Sequence, residues 1–322
     1  MAKHKKQHVI PKCYLKAWVD PSSPKNHKPY VWVFGKEERD GRRKAPRNIF
    51  HENDFYTVGM SEGDRNLAVE HGLSEIESQF AGIRIQKLKF GRELSDEEHF
   101  IVCLFVAALH MRTPAQLDHL TGFWERVLDK MNQVKESFEK ASPDKRAQMA
   151  RASSLGSTDS KGASMEQVQA AVDERVKHIM VPALLAEAEL LPKLDMAILQ
   201  TDSELGFITS DSPVVWFDSE AYKRPPMHQV PALMYETIEI TMPISPSQLL
   251  LLNRQGQSGY VEIPLETVDE LNRRTRFHAH ANFVVRKDAT KNIWFEEGEE
   301  PEDSWERLHG NREDDEPPKL SC

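Results

Sequence analysis

The stretch Gly206-Phe207-Ile208-Thr209-Ser210-Asp211-Ser212-Pro213-Val214-Val215-Trp216-Phe217 sets the strongest constraint on this chain. It is an apolar run interrupted by four polar side chains. Phe207 to Thr209 reads as a strand, and Val214 to Phe217 as its resumption or as a neighbouring buried strand. Pro213 biases Ser212 away from helix and marks a bend. A carboxylate at the end of a buried strand is a recurring way to hold a catalytic group or metal ligand rigidly, which makes Asp211 a candidate for both roles. The alternative is that Asp211 caps a turn by accepting backbone N–H bonds.

The segments around this stretch alternate in character. Tyr30 to Phe34 is a strong strand signal, and Asp40-Gly41 marks a hairpin turn after it. Asp54 to Val58 reads as a second strand. Arg65 to Phe90 has helical periodicity, with Glu70, Ser74 and Glu77 on one face. Ser95-Asp96-Glu97-Glu98 is a capping box, and the helix it opens is apolar nearly all round from Phe100 to Leu109, as expected of a central buried helix. That helix ends His110-Met111-Arg112-Thr113-Pro114, where Pro114 either kinks it or starts a new one. Ser142 to Gly162, rich in Ser, Ala, Lys and Gly, reads as a mobile loop or linker. Beyond Pro192 the pattern turns to β: Asp195 to Thr201 and the Phe207 strand are expected to form a hairpin, and Glu236 to Met242, Leu249 to Leu252 and Ala281 to Arg286 are further strands. The expectation is an α+β fold, a helical bundle packed on a largely antiparallel sheet. Residues 1–295 would form a single domain, with a β section at 29–58, helices at 65–191 and a β-rich section at 195–287. Residues 296–322 would be an acidic, weakly ordered tail.

The motif His8-Val9-Ile10-Pro11-Lys12-Cys13-Tyr14-Leu15-Lys16-Ala17-Trp18 resembles the opening of an uncharacterised bacterial family, a domain of unknown function, whose members begin His-X-Val-Pro-X-X-Tyr-Leu-X-X-Phe. Ile10 stands for the Val and Trp18 for the last aromatic. Arg112-Thr113-Pro114, Ile208 to Pro213, Pro243-Ile244-Ser245-Pro246 and Leu271-Asn272 are similar to later parts of that pattern. The resemblance runs from about residue 4 to residue 287. It implies a shared fold and site and carries no activity.

Charge is uneven along the 322 residues. Met1 to Phe50 holds 13 Lys/Arg against 4 Asp/Glu, whereas Glu296 to Glu316 holds 11 Asp/Glu against 2 Arg. The basic N-terminal region permits a nucleic-acid or other anionic partner, and equally permits the acidic tail to fold back on it. The three cysteines lack zinc or disulfide spacing, no apolar run reaches a membrane span, and the basic N-terminus has no apolar signal core; a cytoplasmic protein with no membrane partner is expected. Dinucleotide, P-loop, zincin and α/β-hydrolase motifs are absent.

The chemistry expected from these residues is a metal-dependent hydrolase, foremost a nuclease acting on phosphodiesters. Its catalytic residues would be His8, His110, Arg112 and Asp211, and its Mg²⁺ or Mn²⁺ ligands Asp211, Glu77 and Glu70: carboxylates for the ion, a histidine as base, an arginine against phosphate charge. A second reading is a non-enzymatic binding or interaction protein in which the polar cluster is buried and structural. A third is an enzyme on a small nucleotide, with Tyr14, Trp18 and Trp216 stacking a base.

Overall fold

The computed structural model describes residues 6–24, 26–53, 55, 58–59, 65–66, 68–155 and 162–296. The chain opens with a short strand β1 (Lys6–His8) and one turn of helix α1 (Lys12–Leu15). Pro11, extended at φ −62°, precedes that helix, and Tyr14, Leu15 and Trp18 are completely buried from it and the turn that follows. Strands β2 (Val31–Gly35), β3 (Arg42–Lys44), β4 (His51–Asn53), β5 (Val58–Gly59) and β6 (Arg65–Asn66) come next. The helices are α2 (Ala68–Gln86), α3 (Asp96–Met111), α4 (Pro114–Lys140), α5 (Pro143–Leu155), α6 (Met165–Asp173) and α7 (Val181–Leu190). The β-rich section follows as β7 (Asp195–Gln200), β8 (Thr209–Ser210), β9 (Val215–Asp218), β10 (Ile238–Ser245), β11 (Gln248–Asn253) and β12 (Gly259–Glu262), then helix α8 (Leu265–Phe277) and strand β13 (Asn282–Val285). The fold is α+β, with antiparallel-rich sheets.

Two sheets carry most of the β structure. One runs β12-β7-β11-β10-β9, antiparallel except where β12 pairs parallel with β7. The other runs β3-β2-β13-β8. Strands from the two ends of the sequence therefore meet side by side: Phe34 stands opposite Phe283 and Val33 opposite Val284. The hairpin expected from Asp195 to Thr209 does not form. β7 pairs with β11 and β12, whereas β8 pairs with β13 in the other sheet. Gly206 makes that departure, at φ +64°, where Phe207 N–H donates to the Pro246 carbonyl.

α3 is the central helix that its composition demands. Ser95 and Glu98 close a reciprocal capping box, and Val102, Cys103, Phe105 to Leu109 and Met111 are buried. Pro114 begins a new helix, with Thr113 as its cap, and the axis turns by 67°. No single helix among the described residues is long and apolar enough to cross a membrane. Ser142 to Gly162 departs from expectation, because Pro143 to Leu155 is helical. Asp54, Tyr56 and Thr57 of the expected second strand, and the acidic tail beyond Glu296, lie outside the described residues.

One apolar core takes in Val9, Tyr14 and Trp18, the buried face of α3, Leu184 of α7 and Leu191 just after it, and Ile240, Leu250 and Val284 from the sheets. Phe80 and Phe105 stack within it with parallel rings 3.8 Å apart.

Candidate functional site

The motif at residues 8 to 18 is built around buried polar anchors. The Tyr14 hydroxyl reaches Thr209 Oγ1 at 2.8 Å and donates to the Pro243 carbonyl, while Trp18 Nε1 donates to the Phe207 carbonyl at 2.8 Å. Asn272, also buried, accepts from Ile208 N–H and donates to the Gly206 carbonyl, 2.9 Å each. An irregular buried segment must satisfy its backbone groups with side chains, and these residues do that for Gly206 to Thr209.

Asp211 belongs to the same scaffold. Its carboxylate accepts backbone N–H bonds from His280 at 2.7 Å, Ala281 at 2.9 Å and Asn282 at 2.8 Å. It ties β8 to the turn before β13. The turn-capping alternative describes this residue, and the structure does not bring it together with His8, Glu70 or Glu77. Both of its oxygens accept from backbone amides, and Asp211 is not among the residues that line the cavity shared by His8, Glu70 and Glu77.

Four of the expected residues do converge. A cavity of about 450 Å³ is lined by His8, Glu70, Glu77 and Arg112, with Lys12 and Lys16 also on its wall. β1, α1 and the turn that follows it supply its basic side, and α2 supplies both carboxylates because residues seven apart share a helix face. Arg112, at the end of α3, is 1% exposed. Its Nη1 donates to Glu77 Oε1 at 2.7 Å and its Nε to the Val9 carbonyl. Its Nη2 is buried with no hydrogen-bond partner among the described residues. Gln7 Nε2 donates to Glu70 Oε2 at 3.1 Å. Arg84 caps the carbonyls of Cys13 and Tyr14 at 2.8 and 3.1 Å, which fixes α1 against α2.

His8 Nε2 lies 3.2 Å from the Arg47 carbonyl. A carbonyl only accepts, so Nε2 carries the proton and Nδ1 keeps its lone pair. Burial holds the His8 pKa below the usual imidazole range, and the positive charges of Lys12 and Arg112 add to that effect. The neutral imidazole is thus the form present at neutral pH. Burial, with Glu77 close by, pushes the Cys13 thiol up, so this cysteine is not poised as a thiolate.

His110 stands apart from this group. It lines a second cavity, of about 590 Å³, on the other side of the α3–α4 turn. Its Nδ1 meets Glu187 Oε1 at 2.8 Å, and its ring stacks on Trp216 with centroids 5.1 Å apart. Glu187 Oε2 and Trp216 Nε1 are both buried without partners among the described residues. Each such group costs about 1–3 kcal/mol unless something pairs with it. Sequence reasoning passed over Glu187. Its signal was a carboxylate in register with the buried positions Leu184, Ala188 and Leu191, whereas the neighbouring Glu189 falls on the exposed face.

The family expectation is decided by the whole length of the domain. A family model described as a protein of unknown function (DUF4238) matches residues 6–290. The chain belongs to the DUF4238 family. No curated protein and no solved structure matches it. The DUF4238 match takes in every segment that lines either cavity. Of its aromatic residues, Tyr14 and Trp18 are sealed in the core with their polar ends bonded and cannot stack a ligand, whereas Trp216 lines the second cavity. The basic turn after β2 is engaged locally: Arg43 lies over the Tyr30 and Trp32 rings, Arg42 pairs with Glu38, and Arg39 bonds Asn292.

The expected metal-donor set is not gathered in one place. Glu77 is committed to Arg112, Glu70 accepts from Gln7, and Asp211 is elsewhere. Among the described residues no three His, Cys, Asp or Glu side chains are arranged to hold a metal.

Proposed function

We propose that the protein is a hydrolase of phosphodiesters, a nuclease, working at the His8 cavity. The observation that carries this reading is the pairing of a neutral imidazole with a buried guanidinium on one cavity wall: His8, protonated at Nε2, keeps the Nδ1 lone pair, and Arg112 Nη2 has no partner among the described residues. His8 Nδ1 takes a proton from the attacking water as the water oxygen bonds to phosphorus. The bond to the leaving oxygen breaks, that oxygen takes up a proton from solvent, and Arg112, Lys12 and Lys16 offset the negative charge that gathers on the phosphoryl oxygens. Glu77 holds Arg112 in place. The step is assigned to protein groups, because the carboxylates expected to bind Mg²⁺ or Mn²⁺ are otherwise engaged.

Nucleic acid is the proposed substrate and partner. The two exposed lysines at the cavity mouth and the basic segment before residue 50 would supply the phosphate contacts. The test is incubation of purified protein with end-labelled single-stranded RNA, single-stranded DNA and duplex DNA, with EDTA and separately with Mg²⁺ or Mn²⁺. Cleavage of at least one substrate in EDTA is expected, falling about 10²- to 10⁴-fold in His8→Ala. Cleavage that appears only with metal overturns the metal-free assignment. No cleavage under any condition overturns the nuclease reading.

A non-enzymatic binding protein is the second reading. It is favoured by Arg112 pinning Val9 to Glu77 and by Asp211 collecting three amides, contacts of a scaffold. Nucleic-acid binding without cleavage, weakened by Lys12→Ala and Lys16→Ala, would select it.

A further inference from the structure

The second cavity has no part in the proposed hydrolysis, yet two of its lining residues carry unsatisfied polar atoms. Its centre is His110, which touches two groups at once: Glu187 through a 2.8 Å hydrogen bond and Trp216 through ring stacking. Each of those neighbours has one buried polar atom that nothing in the described residues satisfies. The two are complementary in kind. Glu187 Oε2 is an acceptor only, and Trp216 Nε1 is a donor only. Because His110 contacts both residues, they belong to one patch of wall.

The rest of the wall is mostly apolar or uncharged. Val214, Leu120 and Pro231 line it, with Val230 at an exposed edge. His278 also lines it, and burial keeps that imidazole below its usual range and therefore neutral at neutral pH. At about 590 Å³ the space is within the range that small organic ligands fill.

We propose that this cavity binds a planar heteroaromatic ligand of the nucleobase class, one that presents a ring N–H beside a carbonyl. Both atoms are closed off in the unliganded protein, so the ligand seats as the Glu187 and Trp216 side chains turn toward the cavity; its N–H then donates to Glu187 Oε2, and its carbonyl accepts from Trp216 Nε1. That edge supplies one donor and one acceptor, the two kinds of partner that Glu187 Oε2 and Trp216 Nε1 lack among the described residues. A flat, largely apolar ring suits the aliphatic and aromatic lining. An anionic ligand is disfavoured by the Glu187 carboxylate, so the free base or nucleoside binds rather than a phosphate-led group.

Isothermal titration with uridine and inosine, each carrying the N–H and carbonyl pair, tests this directly. Their ring-methylated forms, 3-methyluridine and 1-methylinosine, lack the N–H and serve as paired probes. At least one parent nucleoside is expected to bind, with its methylated form at least 10-fold weaker. Glu187→Gln and Trp216→Phe should each weaken binding about 10-fold, while His8→Ala leaves it unchanged. Because the methylated probes act on the unaltered protein, the result does not depend on any variant folding. Absence of binding by both nucleosides, or equal binding of the methylated forms, overturns the proposal. This outcome is independent of whether the His8 cavity cleaves nucleic acid.

Discussion

Arg112 and Glu77 form an ion pair that joins α3 to the cavity wall of α2, with Nη1 and Oε1 2.7 Å apart and the arginine side chain 1% exposed. A guanidinium so deep needs every partner it has, since an uncompensated buried charge is among the costliest defects in a fold. Glu77→Ala is expected to destabilise the protein by about 3 kcal/mol. Glu77→Gln, which still accepts a hydrogen bond, should recover part of that. Urea unfolding of both variants measures the difference.

Asp211 separates the scaffold from the chemistry. Its three amide bonds to residues 280 to 282 mean that Asp211→Asn places an NH₂ group where only an acceptor works. A loss of about 2–3 kcal/mol is expected, in line with hydrogen bonds to a charged acceptor. Activity per folded molecule should not change. A variant of full stability with abolished cleavage would return Asp211 to the reacting centre.

Stability should fall on the acid side of neutrality. His8, His99 and His278 all have pKa values lowered from 6.5, in each case first by burial. The unfolded chain then binds more protons than the native one between the folded and unfolded pKa values, so stability rises with pH across that window. It is complete above 6.5 and is lost as pH falls through the folded values. Urea midpoints at pH 5 and pH 7.5 check this. For catalysis, kcat/KM should climb with pH through a value below 6.5 and then level off, as His8 becomes a free base.

Gly206 has no substitute. At φ +64° an added Cβ would stand 1.9 Å from the Pro246 carbonyl oxygen. Gly206→Ala must therefore move the β10–β11 turn or break the hydrogen bond from Phe207, and it should destabilise by more than the roughly 1 kcal/mol typical of a strained left-handed residue. Thermal unfolding beside Gly72→Ala, where nothing lies within 4 Å of the added atom, provides the comparison.

The elements that carry their own local signal were legible in the chain. The Ser95–Glu98 capping box, the apolar body of α3, the break at Pro114 and the strand at Tyr30 to Phe34 depend on neighbours a few residues away. Helix α5 was not, because Ser142 to Gly162 mixes helix formers with the Ser and Gly of a linker and its helical half has no buried stripe. The pairing of β8 was missed for another reason. A strand's partner is set by the turn that precedes it, and Gly206 turns the chain away from β7 through contacts with Pro246 and Asn272, far along the sequence.

The sequence alone determined the class of fold, the central helix and the set of polar residues worth watching, since patterning and capping are short-range properties. It also placed Glu70 and Glu77 on one helical face. Which residues share a cavity was decided only by tertiary structure. His8 meets Arg112 because the Val9 carbonyl accepts from the guanidinium, and His110 parts from Arg112 because two residues along a helix end point to different sides. Whether a carboxylate caps a turn or faces a cavity depends on which amide groups the folded backbone brings to it, and for Asp211 those amides come from residues 280 to 282.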